Sequence, residues 1–341
     1  MARKRDKHDK HDMAGIIGRS PGQFEAGLTA AAGVATARGP FRNVLVAGMG
    51  GSWMAAALVA EAGLARVPIR IHRSYDLPEG LDRSNTLVIA SSFSGSTEET
   101  LSAYDAARKG RFRLVGIASG GELLARCEHD GVPFVRIPAD PPDMQPRCAT
   151  GYGVGILVGI LARSGLAAKG ATKTVAGLGP LLAASMQAAR RRAKRLIPAL
   201  RQATPVVYAS QRYATVARIW KIKLNENAKT PAFWNVFPEL NHNEMTGWMK
   251  RQGVFHLVFL TDPEEDPRVL ARQKIARNLL GKHGLRSSQI TIEGSSLAEK
   301  VFSTLLVGDW TSYEQALALG VDPTPVEMVE QFKRLLKRID D

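Results

Sequence analysis

Two short stretches of this 341-residue chain set glycines and hydroxyls where an anion can be held, and a third gathers a carboxylate, amides, an ammonium and an imidazole. Val44-Leu45-Val46-Ala47 runs into Gly48-Met49-Gly50-Gly51-Ser52. Leu87-Val88-Ile89-Ala90 runs into Ser92-Phe93-Ser94-Gly95-Ser96-Thr97-Glu98-Glu99. Each is a β-branched apolar run that stops abruptly in small residues and continues as a helix-like stretch. Backbone N–H groups and hydroxyls at such a strand-to-helix turn point at an anion. The first loop has neither the spacing of a dinucleotide fingerprint nor the lysine of a nucleotide P-loop, and alone it reads as a tight turn. The second carries hydroxyls on Ser92, Ser94, Ser96 and Thr97, more than the one a helix cap needs. Two such loops in one parallel sheet predict a cradle for the phosphate of a small molecule, formed by the Gly48-Met49-Gly50-Gly51-Ser52 turn and the hydroxyls of Ser92, Ser94, Ser96 and Thr97.

The third constellation is Asn225-Glu226-Asn227-Ala228-Lys229 at the end of a predicted helix, followed by Pro238-Glu239-Leu240-Asn241-His242-Asn243-Glu244. Taken singly, Glu226 reads as a solvated helix residue and His242 as a loop residue bonded locally. The ensemble does not read as core packing. Cys127 and Cys148 form no disulfide framework and no zinc spacing, and Cys148 reads as a reduced bystander rather than a nucleophile. The seven histidines, with His8 and His11 in a charged segment, suggest no ligand cluster. The sequence predicts neither a metal nor a cofactor.

The elements that must position these residues alternate. Predicted strands are Val44–Ala47, Ile69–His72, Thr86–Ala90, Arg113–Ala118 and Pro133–Ile137, separated by helices Ser52–Ala62, Thr97–Lys109 and Glu122–Glu128. That rhythm predicts right-handed βαβ crossovers and a parallel sheet. Gly151–Leu166 reads as a buried helix and Thr172–Arg201 as one long linking helix. The rhythm restarts with strands Val206–Ala209, Phe255–Leu260 and Ile290–Ile292 and helices Tyr213–Ala228, Pro267–Leu280, Leu297–Leu319 and Pro325–Arg338. The expected fold is α/β: two α-β-α sandwich domains with parallel sheets, linked by a long helix. Residues 1–12 read as a charged, disordered tail, 13–170 as the first domain, and 171–341 as the linker helix and the second domain.

Composition narrows the class. Apolar residues make up 45%, enough for packed cores, and no run approaches the ~20 residues of a membrane helix. The charged start lacks the apolar centre of a signal peptide, so the chain reads as cytoplasmic. The formal charge of +14 is dispersed, with clusters only at Arg3-Lys4-Arg5 and Arg190–Arg195, the latter on a helix that reads as solvated. Aromatics total 6% and do not interleave with the basic residues, so a basic surface that attracts small anions fits better than a nucleic-acid platform.

The two hydroxyl loops, Asn225-Glu226-Asn227-Ala228-Lys229 and Pro238–Asn243 together resemble the bifunctional phosphoglucose/phosphomannose isomerase family, which is built from two sugar isomerase (SIS) domains. The first two motifs indicate only a SIS domain, and the last two narrow it. The resemblance runs from about Asp12 to Lys337 and implies interconversion of glucose 6-phosphate, and mannose 6-phosphate, with fructose 6-phosphate. It places the phosphate at Ser52, Ser92, Ser94 and Thr97, the proton-shuttling base at Glu226, and the ring-opening histidine at His242, supplied by the neighbouring subunit. It puts an enediolate-steadying, water-excluding arginine at Arg147 and a ring-opening lysine at Lys333. Val326 stands where some members carry a threonine credited with room for both epimers.

The residue types suit that chemistry. One carboxylate can move a proton between adjacent carbons, and a fixed arginine can stabilise an enediolate. The resemblance implies a phosphorylated hexose and a homodimer with a shared active site as partners. Alternatives are an isomerase of another phosphosugar and a non-catalytic sugar-phosphate sensor. A sensing regulator would carry a helix-turn-helix reader, for which Ala14–Arg38 has too little room. The Pro231–Pro238 stretch, with Phe233, Trp234, Val236 and Phe237, is more apolar than an exposed connection should be and is expected to pack on a second subunit.

Overall fold

A computed structural model of the chain describes residues 6–36, 38–250 and 252–337. They divide into two compact units, residues 16–186 with 293–304, and residues 6–15 with 187–292 and 305–337. The chain passes from unit to unit four times, within the helices α1 (Met13–Arg19), α7 (Ala171–Leu200) and α11 (Leu297–Ala318) and in the loop between residues 292 and 293.

The first unit contains α2 (Gln23–Ala30), β1 (Asn43–Ala47), α3 (Gly51–Glu61), β2 (Ile69–His72), β3 (Thr86–Ser91), α4 (Glu98–Lys109), β4 (Arg113–Ala118), α5 (Gly121–Asp130), β5 (Phe134–Arg136) and α6 (Thr150–Arg163). Its strands are all parallel in the order β2-β1-β3-β4-β5, with Val44 beside Leu87 and Val46 beside Ile89. Every residue of β3 is buried, which is why that strand reads as an unbroken apolar run. Leu45 and Val88 pack with Leu101, Tyr104 and Leu123 from α4 and α5. Each such aliphatic side chain contributes about 1.5–3 kcal/mol on burial. The strand order reverses at β1 and β3, and ligands of open α/β sheets bind at the carboxyl ends of strands at that switch point.

The second unit contains β6 (Thr204–Ser210), α8 (Ala214–Ala228), β7 (Phe233–Phe237), α9 (Glu244–Gly247), β8 (Phe255–Thr261), α10 (Pro267–Lys282), β9 (Arg286–Thr291) and α12 (Glu327–Lys337). Its parallel sheet runs β7-β6-β8-β9, repeating the order of β2-β1-β3-β4. Tyr208, Phe237 and Phe259 meet in its core, Tyr208 edge-on to Phe259 with ring centroids 5.5 Å apart.

Several expectations need correction. Pro231–Pro238 is not an exposed connection, because Phe233–Phe237 pairs with β6 as an edge strand. Its Val236 and Phe237 are buried in the protein's own core, and of the apolar residues that were to face a second subunit Phe233 alone is exposed. The β9 strand starts at Arg286, not Ile290; its first half is polar. Residues 1–5 of the charged segment lie outside the described residues, and from Asp6 onward it is not a solvated tail. Asp9 is 1% exposed and accepts the Met13 and Ala14 amides at 2.7 and 3.1 Å, capping α1. Nor is the Arg190–Arg195 stretch wholly solvated: Arg190 pairs with Glu314 at 2.5 Å and lies over the Trp310 ring at 4.5 Å.

Candidate active site

In the first unit, the loops after β1 and β3 are tied to each other. The Phe93 amide donates to Ser52 Oγ at 2.9 Å, so a side chain at the start of α3 fixes the loop that precedes α4. Ser92 is fully buried; its hydroxyl donates to Thr97 Oγ1 at 2.8 Å and accepts the Gly95 amide at 3.1 Å. Ser94 is exposed and Thr97 half-buried. Gly95 has φ 74°, and a Cβ there would stand 1.8 Å from the Gly120 carbonyl oxygen, so only glycine fits. Neither α3 nor α4 has a side-chain N-cap bond. Thr97, at the N-cap of α4, receives the Ser92 hydroxyl instead of closing the helix end. The two helix starts therefore present backbone donors beside hydroxyls, the disposition an anion requires.

The Pro146–Cys148 turn joins the same assembly. A Cβ on Gly51 would lie 2.6 Å from the Pro146 carbonyl carbon and 2.9 Å from the Arg147 nitrogen, so the glycine lets this turn cross the start of α3. Arg147 is 1% exposed, and its Nη1 donates to Gln145 Oε1 at 3.2 Å. Gln23 secures the turn, donating to the Cys148 carbonyl at 2.8 Å and accepting the Gly151 amide at 3.1 Å. Gly51, Ser52, Ser92, Ser94, Thr97 and Arg147 thus stand on three interlocked segments. A cavity of about 30 Å³ beneath them, lined by Ser52, Phe93, Pro146 and Thr150 among others, is far smaller than a sugar.

In the second unit, Glu226 is half-buried in the last turn of α8, and its polar neighbours turn out to be scaffolding. Asn225 donates to the Thr230 carbonyl at 2.8 Å and Asn227 to Ser312 Oγ of α11 at 2.9 Å. Lys229 takes a left-handed C-cap conformation at φ 53° while its Nζ donates to the Glu226, Asn227 and Asp322 carbonyls. Lys223, one turn earlier, is buried in an ion pair with Asp309 of α11. His242 is exposed at the end of a 3-10 turn, its amide donating to the Glu239 carbonyl at 2.9 Å. Lys333 is exposed on α12 and donates to Glu330 Oε1 at 2.8 Å. These three residues stand on three different elements.

The carboxyl ends of β6 and β8 hold a different chemistry from those of β1 and β3. Ser210 donates to the Glu265 carboxylate, whose other oxygen accepts the Asp266 amide at 3.0 Å. Tyr213 donates to Asp262 at 2.5 Å, and Asp266 caps α10 by accepting the Arg268 amide at 2.7 Å. Carboxylates accept from the side-chain donors at this end of the second sheet, whereas the loops of the first unit are tied by hydroxyls.

Residues 189–336 match the bacterial phospho-glucose isomerase C-terminal SIS domain family. The chain is 34% identical over 311 residues to the bifunctional phosphoglucose/phosphomannose isomerase of Caldicellulosiruptor bescii, covering 88% of this chain and 91% of that protein. The chain belongs to this isomerase family. The protein of the same name from Thermoplasma acidophilum is 33% identical over 87% of this chain and 90% of its own. The fold is shared more widely: glucosamine-6-phosphate deaminase from Thermotoga maritima superposes with a TM-score of 0.70 at 15% identity, over 92% of this chain and 96% of that one.

For a phosphoglucose/phosphomannose isomerase family member, some site features are hidden in the sequence. The ties made by Lys223, Asn227 and Lys229 reach residues distant along the chain, and only the charged and amide character of the motif signalled them. Among the described residues, no three His, Cys, Asp or Glu side chains are grouped to hold a metal ion. No helix among them is long and apolar enough to cross a membrane. Cys127 is buried, which pushes its thiol up to about 11, an inert state.

Proposed function

We propose that this protein interconverts glucose 6-phosphate and mannose 6-phosphate with fructose 6-phosphate. The observation that carries the reading is the hydroxyl-lined pair of uncapped helix starts, locked by Ser52 and overlaid by the Arg147 turn, in a chain of this family. The phosphate takes the α3 and α4 amides with the Ser52, Ser94 and Thr97 hydroxyls, and Ser92 holds Thr97 in place. Glu226 removes the proton from C2 of the open-chain aldose. The electron pair left behind forms the C1–C2 double bond of an enediolate; the C2 hydroxyl proton passes to the C1 oxygen, C2=O forms, and the carbon-bound proton returned to C1 gives the ketose. His242 and Lys333 move protons at the ring oxygen and the anomeric hydroxyl to open the ring. Arg147, permanently charged, stabilises the enediolate oxygen.

Glucose and mannose 6-phosphates differ only at C2, and the planar enediolate has lost that stereochemistry. A pocket that admits both hexoses therefore needs no second catalytic group. The exposed face of α12 supports a homodimer with a shared site: Met328, Val329, Phe332 and Leu335 are exposed at helical spacing. A reduced, buried Cys127 suits a cytoplasmic location.

A coupled assay of purified protein with glucose, mannose and glucosamine 6-phosphates, each with and without chelator, tests the reading. Fructose 6-phosphate is expected from the first two at rates that chelator leaves unchanged. Glu226→Gln is expected to lower turnover at least ~100-fold with phosphosugar affinity retained. Near-normal turnover in that variant, or activity abolished by chelator and restored by zinc, would overturn the reading.

A further inference from the structure

Two residues beyond His242, the Glu244 carboxylate is held at both oxygens. Tyr208 of β6 donates to Oε1, and the Asn235 amide of β7 donates to Oε2. Trp248, just past α9, donates from Nε1 to the same Tyr208 hydroxyl at 2.9 Å and packs edge-on against Phe255 with centroids 5.0 Å apart. The start and the end of the segment after His242 are therefore moored to one buried phenol, with the carboxylate bridging two neighbouring strands. Burial and the adjacent carboxylate push the Tyr208 hydroxyl up, which keeps it a donor. Asn235 cannot reverse its amide freely, because its Oδ1 accepts the Val236 amide at 2.8 Å. The turn that bears His242 is tied within itself as well, Asn243 donating to Glu239 Oε1 at 3.0 Å and Asn241 to Met245 Sδ at 3.1 Å. Leu240 anchors the front of that turn in the core and Arg272 reaches Asn241 Oδ1 at 3.5 Å, while Glu244 ties the chain just after His242 to the sheet by polar contacts.

We propose that Glu244 is a positioning residue for ring opening: through Tyr208 and Asn235 it fixes where the exposed His242 imidazole is presented. The inference rests on the reading of His242 as the ring-opening group. A carboxylate with both oxygens engaged by chain donors is poorly suited to act as a base itself, so its contribution to the reaction passes through His242. Small displacements of a proton-transfer group are costly because transfer needs hydrogen-bond distance to the reacting oxygen.

A double-mutant cycle tests this, with kcat/KM for glucose 6-phosphate and the inhibition constant of inorganic phosphate read for each protein. Glu244→Ala is expected to lower kcat/KM ~10–100-fold while phosphate inhibition stays within about 2-fold of the parent. Glu244→Gln keeps the oxygen that receives Tyr208 but turns a donor toward Asn235, and should fall between. In a His242→Ala background, Glu244→Ala should change the rate less than about 2-fold, since nothing remains to position. If Glu244→Ala does not fold, Tyr208→Phe takes its place in the cycle, keeping the ring contact with Phe259 and losing only the hydroxyl. The same penalty in both backgrounds overturns the positioning role alone. A His242→Ala protein of normal activity overturns the reading of His242, and this proposal with it.

Discussion

Ser52, in the first turn of α3 beyond β1, and Ser210, the last residue of β6, follow or end the first strands of their two sheets, and their hydroxyls do opposite things. Ser52 Oγ accepts the Phe93 amide, whereas Ser210 Oγ donates to the Glu265 carboxylate. The two sheets share a strand order, so the contrast is chemical rather than topological. In the first unit the loop amides of Phe93, Gly95 and Ser96 meet serine hydroxyls, with no carboxylate among these contacts; in the second, Glu265 and Asp266 accept from Ser210 and from backbone amides.

One phosphate per chain is therefore expected. Equilibrium dialysis with inorganic phosphate should give one site for the parent and none for Ser94→Ala/Thr97→Val at the same concentrations. Two sites of similar affinity in the parent would contradict this.

Ser92 and Ser94 should behave differently although they are two residues apart. Ser92 is buried with its hydroxyl both donating and accepting, so Ser92→Ala should cost about 1–3 kcal/mol of stability. Ser94 is exposed, and Ser94→Ala should leave the melting temperature unchanged while weakening affinity for 6-phosphosugars. Thermal denaturation beside substrate titration checks both. A destabilised Ser94→Ala with normal affinity would reverse the assignment.

For the assembly, Phe332→Asp should yield a monomer in sedimentation velocity, because it places a charge in the middle of the exposed apolar stripe of α12. Mixing Glu226→Gln with His242→Ala, each impaired alone, under subunit exchange should raise activity above that of either variant. Mixed dimers without that gain would mean that each site is built from one chain.

His256 supplies the pH dependence. It is 4% exposed on β8, its Nε2 lies 2.8 Å from Ser288 Oγ, and burial with Arg286 nearby holds the imidazole below its ordinary 6.5. Below that value the unfolded chain binds the proton while the folded chain does not, so stability falls as pH drops from 6.5 toward the folded-state value. Urea midpoints from about pH 7.5 to about pH 5 should show the slope, and His256→Gln should flatten it. An unchanged slope in the variant would assign the effect elsewhere.

What could be read beforehand follows from where the determinants lie. The two strand-to-helix loops were legible because β1 and β3 are apolar runs that break into glycine and hydroxyl within a few residues. The β7 strand was not, since prolines bracket it and Asn235 interrupts its apolar pattern; an edge strand needs neither alternation nor length. The first half of β9 was missed for a similar reason, as Arg286-Ser287-Ser288-Gln289 is a polar run at the other edge. Asp9 could have been found, being an acidic residue just before a helix start. The Glu244 mooring could not, because Tyr208, Asn235, Glu244 and Trp248 meet only once β7 lies against β6.

The composition of the two units governs how the protein can be taken apart and how it must be made. Residues 293–304 belong with 16–186, and residues 6–15 belong with the later half, where Tyr313 donates to Asp9 at 3.2 Å. A ribosome therefore delivers the pieces out of order: the early unit waits for a segment translated near the end, and Asp9 waits longer still for its tyrosine. A single cut within α7 leaves each fragment missing a strand-free, partly buried piece of itself. Exchanging halves between relatives would succeed only if these two short segments travelled with their distant partners.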